Sequence, residues 1–239
     1  MTAAFKTWKV LPHGQLSQVA ENIRTVVGDI PMPVGQFRRR MTVVRLRDGG
    51  LVIFSAIALD NDEMQTLETW GRPAWLIVPN DHHRLDAGVW KARYPDIRVI
   101  TPAGAREKVA ETVAVDAVSA DFGDPDVTLI DVPGTQAHEA ALEVKSPDGL
   151  TLVLNDVVGN IRGESGFGGW LLRRMGFAGD EPHVPGPVKA AIVKDKAALA
   201  AQLERWAALP GLQRVIVSHG ETIEDDPQAS LRKLAASLG

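Results

Sequence analysis

The chain has 239 residues, of which 45% are hydrophobic and 23% are charged, so it can bury the core of one α/β domain. Its 26 basic and 30 acidic residues give a formal net charge of -4, and this mild, mixed charge does not indicate a nucleic acid as partner. Cysteine is absent, which excludes disulfides, thiolate metal sites and a cysteine nucleophile.

The hydropathy of the sequence predicts neither a membrane-spanning segment nor a signal peptide. No apolar stretch approaches the ~18 residues of a membrane span, and Met1 to Val10 lacks the apolar segment of a signal peptide. We therefore expect a cytoplasmic protein without a membrane partner, whose substrate or ligand is a small molecule.

The first half of the chain is predicted to alternate strands and helices. A hairpin is expected where Met41 to Leu46 and Leu51 to Ser55 flank Asp48-Gly49-Gly50. A helix should begin at Asp60 or Asn61 and run through Trp70, ending at Gly71. The other predicted elements are a strand over Ala74 to Pro79, a helix over Val89 to Arg93, a strand over Arg98 to Thr101 and a helix over Ala103 to Val113. This alternation is typical of an α/β fold.

The second half repeats the order in outline. Its predicted elements are a strand over Thr128 to Val132, a hairpin of Ala141 to Lys145 with Leu150 to Leu154, a helix over Asp195 to Leu209, a strand over Arg214 to Val217 and a helix over Pro227 to Leu238. Two similar halves, joined near residues 115–123, are expected to pack their sheets face to face with helices outside. The prediction is a single αββα domain over residues 1–239.

Two segments do not follow this alternation. The glycine-rich stretch 159–187 is predicted to be an insertion that serves as a lid or binding loop. Its apolar residues within 167–177 could form a homodimer contact or simply cover the core. The run Arg38-Arg39-Arg40 is interpreted as a solvated sheet edge that resists pairing with other sheets.

The most informative segment is Pro79 to Gly88, which directly follows a predicted buried strand. It contains the adjacent histidines His82 and His83 and a carboxylate at Asp86. Side chains at the carboxyl ends of strands point into the crevice where α/β proteins bind ligands, so this pattern suggests a metal or acid/base site. The alternative is a polar loop whose histidines only cap the next helix.

Three further polar residues also follow predicted strands. His138 comes after Val127 to Val132, Asp156 ends the run from Leu150, and His219 ends the run from Val215. Imidazole and carboxylate groups at equivalent ends of separate strands are expected to converge in space, which favours a functional site over isolated core histidines.

This combination resembles the metallo-β-lactamase-like hydrolase superfamily over the whole chain. That superfamily has a strand followed by His-x-His-x-Asp-His-x-Gly-Gly, then a Pro-Gly-His-type turn, an Asp closing a later strand and a His-Gly ending the last strand. The segments Leu16 to Pro31 and Met41 to Ser55 look like its first strands. More narrowly, the chain is similar to an uncharacterised bacterial and plant subgroup with a degenerate motif resembling Pro-Asn-x-x-His-Arg-Leu-Asp.

Two registers relate this chain to the parent motif. If Gly88 matches the last glycine, the first ligand becomes Asn80, the second stays His82, and Arg84 and Leu85 replace the Asp and the final His. The other register puts His83 at the second ligand and Asp86 at the last, and the subgroup's His-Arg-Leu-Asp favours it. Either register removes part of the two-metal site.

The resemblance therefore implies at most one metal ion, with Zn, Fe or Mn as candidates. It implies hydrolysis of an ester, amide or phosphoester by metal-activated water, with Asp156 and His219 as catalytic residues. The alternative is a non-catalytic relative that holds no metal and binds a small ligand or a protein partner, with Arg84 in place of an ion. The candidate ligands are His82, His83, Asp86, His138, Asp156 and His219, and the candidate pocket residues are Asn80, Asp81, Arg84 and Asn160.

Overall fold

The computed structural model describes residues 4–31, 36–162 and 167–239. In chain order, its first half comprises β1 (Ser17–Ala20), β2 (Ile23–Pro31), β3 (Gln36–Arg45), β4 (Gly50–Phe54), α1 (Asn61–Trp70), β5 (Arg72–Ile77), α2 (Ala87–Arg93), β6 (Arg98–Ile100), a 3-10 turn (Ala103–Ala105) and α3 (Arg106–Ala110). The six strands form one sheet in sequence order, antiparallel from β1 to β4 and parallel from β4 to β6.

The second half supplies the other large sheet. It comprises β7 (Val127–Asp131), β8 (Ala140–Ser146), β9 (Gly149–Leu154), β10 (Ile161–Arg162), α4 (Phe167–Arg174), β11 (Ala178–Gly179), α5 (Gly186–Ala191), α6 (Lys196–Ala207), β12 (Leu212–Val217) and α7 (Pro227–Ala236). The sheet order is β12-β9-β8-β7, with β12 parallel to β9 and the other pairs antiparallel. The short strands β10 and β11 pair with each other.

The strand β4 shows how the layers stack. All five of its residues are buried, because its alternating side chains enter two different cores. Leu51 and Ile53 pack with residues of α1 to α3, whereas Val52 and Phe54 pack with Leu142 and other residues of the second sheet. Residues of α6 and α7 cover the far face of the second sheet. The predicted αββα sandwich is therefore confirmed.

Several helices and strands begin or end at the capping and turn residues that the sequence predicted. Asp60 caps α1 by accepting a hydrogen bond from the Glu63 backbone at 3.0 Å, and the helix ends at Gly71. A Cβ at Gly71 would lie only 2.6 Å from the Gly49 carbonyl oxygen, so the close approach of this turn to the β3–β4 hairpin requires glycine. The predicted helix over 103–113 is wrong in extent, since it splits into the 3-10 turn and the short α3.

The interpretation of Arg38 to Arg40 as a solvated edge is wrong for Arg39 and Arg40, whereas the Arg38 side chain is exposed. These residues lie in the part of β3 that pairs with β2, beyond the Thr42 to Arg45 segment that pairs with β4. Arg39 is buried and pairs with Asp86, and Arg40 donates to the carbonyl oxygens of Val217 and Gly220. Because these two side chains are largely removed from solvent, they need internal acceptors, and charge alone did not reveal them.

The predicted insertion contributes β10, α4, β11 and α5, and its residues 163–166 lie outside the described ranges. Trp170 and Met175 are exposed, so a homodimer contact here stays a prediction. None of the helices in the described ranges is long and apolar enough to cross a membrane.

Candidate metal centre

Three side chains converge just beyond the carboxyl ends of separate strands. His83 lies in the loop after β5, and Asp156 and His219 each lie two residues beyond the end of β9 and β12. Asp156 Oδ1 is 3.1 Å from His83 Nε2 and 3.3 Å from His219 Nε2, and the two Nε2 atoms are 3.2 Å apart. The predicted contact between Asp156 and His219 is therefore present, with His83 as a third member. We call these residues the His-Asp-His cluster.

Hydrogen bonds behind the imidazoles determine what each ring presents to Asp156. His219 Nδ1 lies 2.7 Å from the Arg38 carbonyl oxygen, and because a carbonyl only accepts, we assign the proton to Nδ1. His219 Nε2 then faces Asp156 Oδ1 at 3.3 Å, where either a proton or a metal ion between the two atoms would satisfy both of them. His83 Nδ1 contacts Ser55 Oγ at 2.7 Å, a hydroxyl that can donate or accept.

The separations within the cluster fit a tetrahedral ion. Ligand atoms at ~2.0–2.1 Å from such an ion are about 3.3 Å from one another. The three donor atoms of His83, Asp156 and His219 are 3.1 to 3.3 Å apart. Three protein ligands would leave a fourth position open, as in catalytic rather than structural zinc sites. Among the described residues, only this group of His, Asp and Glu side chains brings three such atoms together.

Asn80 connects the histidine loop to Asp156. Its Oδ1 accepts hydrogen bonds from the backbone N–H groups of His82 and His83, at 2.9 and 3.1 Å. Its Nδ2 donates to Asp156 Oδ2 at 2.7 Å and to Glu139 Oε2 at 2.9 Å. Asn80 therefore occupies the position of a ligand in the first register, but it acts here as a buried bridge that orients the cluster.

Glu139 is a buried member of this network that the sequence analysis did not identify. Its Oε1 accepts from the Asp156 backbone N–H at 2.6 Å. Burial, together with the charge of Asp156, raises the pKa of Glu139 well above its usual range. For Asp156, burial alone would raise the pKa, but His83 and His219 outweigh it and hold the pKa well below its ordinary value. The only available signal was a glutamate immediately before the apolar run of Ala140 to Leu142.

The imidazole of His83 is held in the form that binds metals. Burial lowers its pKa, although Asp156 opposes this shift through its charge and its hydrogen bond. A neutral imidazole retains the lone pair that a metal ligand needs.

The glycine after His219 has a structural role, since a Cβ at Gly220 would lie 2.1 Å from the Asn160 carbonyl oxygen.

The other three predicted ligands lie outside the cluster. His82 is exposed and pairs with Asp81 at 3.0 Å. Asp86 is 1% exposed and pairs with Arg39 rather than contributing to the cluster. His138 lies on the turn before β8, where its Nδ1 contacts the Gln136 carbonyl oxygen at 3.1 Å. These placements follow from the loop path, which a linear motif does not specify.

Arg84 does not take the place of a metal. Its guanidinium donates to the Lys108 carbonyl oxygen and to Glu111 Oε2, the latter at 2.9 Å, and not to Asp156. This corrects the alternative in which Arg84 stands in place of an ion, which required its guanidinium to pair with Asp156. The buried arginine of this region is Arg39, which donates to Asp86 and, at 3.3 Å, to the Ala56 carbonyl oxygen.

The cluster lines a pocket of about 280 Å³. Its remaining walls include Ile30, Phe37, Val158, Ile161, Phe177 and Ile192. Part of the predicted insertion thus forms the pocket. None of the four predicted pocket residues is among its lining residues: Asn80 bridges to the cluster from behind, Asp81 and Arg84 line an adjoining cleft, and Asn160 lines a second pocket, where it donates to the Glu221 carbonyl oxygen at 2.9 Å.

The bridge formed by Asn80 leads to a stability prediction. Asn80→Ala removes the donor to the buried carboxylate of Glu139 and to the partly buried one of Asp156, and an unpaired buried polar group costs ~1–3 kcal/mol. We expect the free energy of unfolding, measured by urea denaturation, to fall by ~1–3 kcal/mol. The neighbouring control Asp81→Ala should change it by no more than ~0.5 kcal/mol. Equal losses in the two variants would contradict the bridging role.

Comparison with known proteins gives a fold but no sequence relative. No protein family model matches the chain, and no curated protein matches it. Similar solved structures include a metallo-β-lactamase from Hirschia baltica, with 12% identity over 95% of this chain and 98% of that chain at a TM-score of 0.59. The DIM-1 metallo-β-lactamase exposed to ceftazidime has 13% identity over 97% and 100% of the two chains and a TM-score of 0.63.

A third similar structure is the metallo-β-lactamase FIM-1 from Pseudomonas aeruginosa in its mono-zinc form, with 13% identity, coverage of 96% and 97%, and a TM-score of 0.62. These similarities extend over nearly the whole length of each chain. Together with the sheet order and the two outer helical layers, they establish that this chain has the metallo-β-lactamase fold.

Proposed function

We propose that this protein is a metal-dependent hydrolase whose single ion is held by His83, Asp156 and His219. The observation that carries the proposal is the convergence of the His83 Nε2, Asp156 Oδ1 and His219 Nε2 atoms at 3.1 to 3.3 Å from one another. The mono-zinc form of FIM-1 provides a protein of the same fold with one zinc ion. The reaction is hydrolysis of an ester, amide or phosphoester.

The spacing of the donor atoms fits zinc among the candidate ions. Two imidazole nitrogens and one carboxylate oxygen, 3.1 to 3.3 Å apart, match ligands of Zn²⁺ in tetrahedral catalytic sites, and mononuclear Fe(II) sites also use two histidines and a carboxylate. A divalent ion at such a site supplies a Lewis acid and lowers the pKa of a contacting water toward ~7.

The surrounding residues would set the conditions for this chemistry. The Arg38 carbonyl keeps the His219 proton on Nδ1, which leaves Nε2 free as a donor atom. Asn80 holds Asp156 against the histidine loop through its bond to Oδ2. The pocket walls are largely apolar, so a substrate that fills the pocket would displace water from the cluster and strengthen the electrostatic interactions there.

The described residues offer no second set of donor atoms for another ion. Leu85 has no donor side chain, Arg84 is cationic, and Asn80 directs its amide N–H groups at Asp156 and Glu139. His138 is separate from the cluster. A one-ion site is therefore the stoichiometry that the proposal requires.

Metal content and hydrolysis test the proposal together. Protein purified without chelator should contain up to one zinc, iron or manganese per chain, and metal-free protein should bind one equivalent of Zn²⁺ in a calorimetric titration. A panel of 4-nitrophenyl esters, anilides and phosphodiesters should include a substrate that is hydrolysed by the reloaded protein and not by the metal-free protein.

Two results would contradict this function in different ways. Absence of binding at micromolar Zn²⁺, or a stoichiometry of two, would contradict the one-ion site. Binding of one ion without hydrolysis of any member of the panel would favour a non-catalytic protein of this fold that binds a small ligand or a partner.

A further inference from the structure

The pocket beside the His-Asp-His cluster is largely apolar. Of the fifteen described residues that line it, ten are aliphatic, aromatic or proline, and apart from one glycine the others are His82 and the cluster itself with its single carboxylate. These described lining residues include no lysine or arginine. Binding pockets generally combine apolar walls with a few convergent polar groups, and here the polar groups are concentrated at the proposed metal site.

Several of these apolar walls do not belong to the protein's cores. Ile30, Phe37, Ile161 and Phe177 are only half-buried, and none of them is part of the three apolar clusters formed by the described residues. Their apolar surface therefore remains available to a ligand. Burying such surface is favourable by about 25 cal/mol per Å².

The apolar wall is continuous with the cluster. The Phe37 ring lies against the His219 imidazole with ring centroids 4.5 Å apart, and it also contacts the Phe177 ring at 5.7 Å. A hydrocarbon group in contact with Phe37 would thus be next to the proposed reacting position.

The nearby cationic side chains do not change this character. Arg40 and Arg162 line a separate, adjacent pocket, where Arg40 donates to the Gly220 carbonyl oxygen and Arg162 pairs with Glu221 at 3.1 Å. A phosphate placed in the apolar pocket would lack a cationic side-chain partner. Burying an unpaired charge is costly, so this pocket favours an uncharged group.

We propose that this pocket binds the hydrocarbon part of the substrate, a chain or ring of about ten carbon atoms. An apolar cavity of ~150 Å³ elsewhere holds benzene, and this pocket, at about 280 Å³, is nearly twice as large. The inference rests on the proposed function for the reaction itself. It narrows the substrate to a carboxylic ester or amide with an apolar acyl group. In that reaction the water oxygen bonds to the acyl carbon, the bond from this carbon to the leaving oxygen or nitrogen breaks, and the leaving atom takes up a proton from the water.

Uncharged alcohols test the pocket without requiring catalysis. We would measure the affinity of 1-butanol, 1-hexanol, 1-octanol and 1-decanol by ligand-observed NMR, for the protein as purified and after metal removal. Each buried methylene should tighten binding by about fourfold. The increase should continue to about ten carbons, the capacity inferred for the pocket.

A pair of variants on α5 provides the matched comparison. Ala191 is exposed and lines the pocket, whereas Ala190 is exposed on the same helix and does not line it. Ala191→Phe should weaken 1-octanol binding by at least about tenfold, because the ring occupies space that about three methylenes would fill. Ala190→Phe should bind 1-octanol as the wild type does.

A hydrolysis assay tests the proposed reaction separately from the binding of hydrocarbon in the pocket. With zinc present, kcat/KM for 4-nitrophenyl acetate, butanoate, hexanoate and octanoate should increase with chain length. Alcohol affinities that do not depend on chain length, or equal effects of Ala191→Phe and Ala190→Phe, would overturn the inference even if hydrolysis occurs. Chain-length-dependent alcohol binding that Ala191→Phe alone weakens would support the pocket, and absence of hydrolysis in the same protein would contradict only the proposed reaction.

Discussion

Replacing Asp156 with alanine should weaken zinc binding by more than about 100-fold. Changing an outer partner of a metal ligand typically costs ~10–100-fold in affinity, and loss of a direct ligand should exceed that range. Asp156 is the anionic member of the cluster, since its pKa is held well below the ordinary value. Competition between metal-free protein and a zinc-binding dye, at fixed pH, measures the change.

Three histidine variants make this prediction specific. His219→Ala should lose zinc affinity as Asp156→Ala does, because both residues supply a donor atom at 3.3 Å from each other. His138→Ala and His82→Ala should bind zinc as the wild type does, since their side chains lie outside the cluster. Loss of affinity in His138→Ala equal to that in Asp156→Ala would show that the ligand set is different. Far-UV circular dichroism of each variant checks that the fold is retained.

Arg39→Met should lower the free energy of unfolding at pH 7 by ~3–5 kcal/mol, the usual cost of breaking a buried ion pair from one side. Arg39 is 4% exposed and its partner Asp86 is 1% exposed, so the substitution leaves a carboxylate buried without a counter-charge. Asp86 also accepts from the Ala58 backbone N–H at 3.3 Å, which replaces little of the lost charge interaction. Urea denaturation measures the loss.

The pH dependence of this loss has a defined sign. Burial already raises the pKa of Asp86, with Arg39 opposing the shift, so removing Arg39 should raise the pKa further. When a carboxyl group has a higher pKa in the folded state than in the unfolded state, the free energy of unfolding decreases as the pH rises from the unfolded-state pKa to the folded-state pKa. The deficit of Arg39→Met should therefore be smaller at pH 4 than at pH 7. A deficit that grows on acidification would contradict this account.

Arg84→Ala is the matched control for the arginine. Its guanidinium bonds to a surface carbonyl and to Glu111, which is half-exposed, so the change should cost no more than ~0.5 kcal/mol. The double variant Arg39→Met with Asp86→Leu should recover most of the stability lost in Arg39→Met, because it removes both buried charges. If Arg84→Ala is the more destabilising arginine variant, the assignment of the buried pair is wrong.

The sequence by itself determined the layered fold and the strand ends that carry the candidate site. The continuous apolar run of β4, the turn residues beside it and the cap at Asp60 are local signals, and signals of this kind predicted the hairpins and most helices. The sequence also predicted that Asp156 and His219 lie just beyond the ends of two strands. These strands, β9 and β12, are parallel neighbours and end at the same edge of the sheet, which brings the two side chains together.

Tertiary structure alone decided which polar groups meet. Of the adjacent histidines, only His83 reaches Asp156, because Asn80 fixes the loop by bonding the backbone N–H groups of both residues. Arg39 rather than Arg84 is the buried cation, since β3 places the Arg39 side chain against the buried carboxylate of Asp86. A one-residue change of register or a different loop path would exchange these partners, and the side-chain contacts that select among them join residues far apart in the chain.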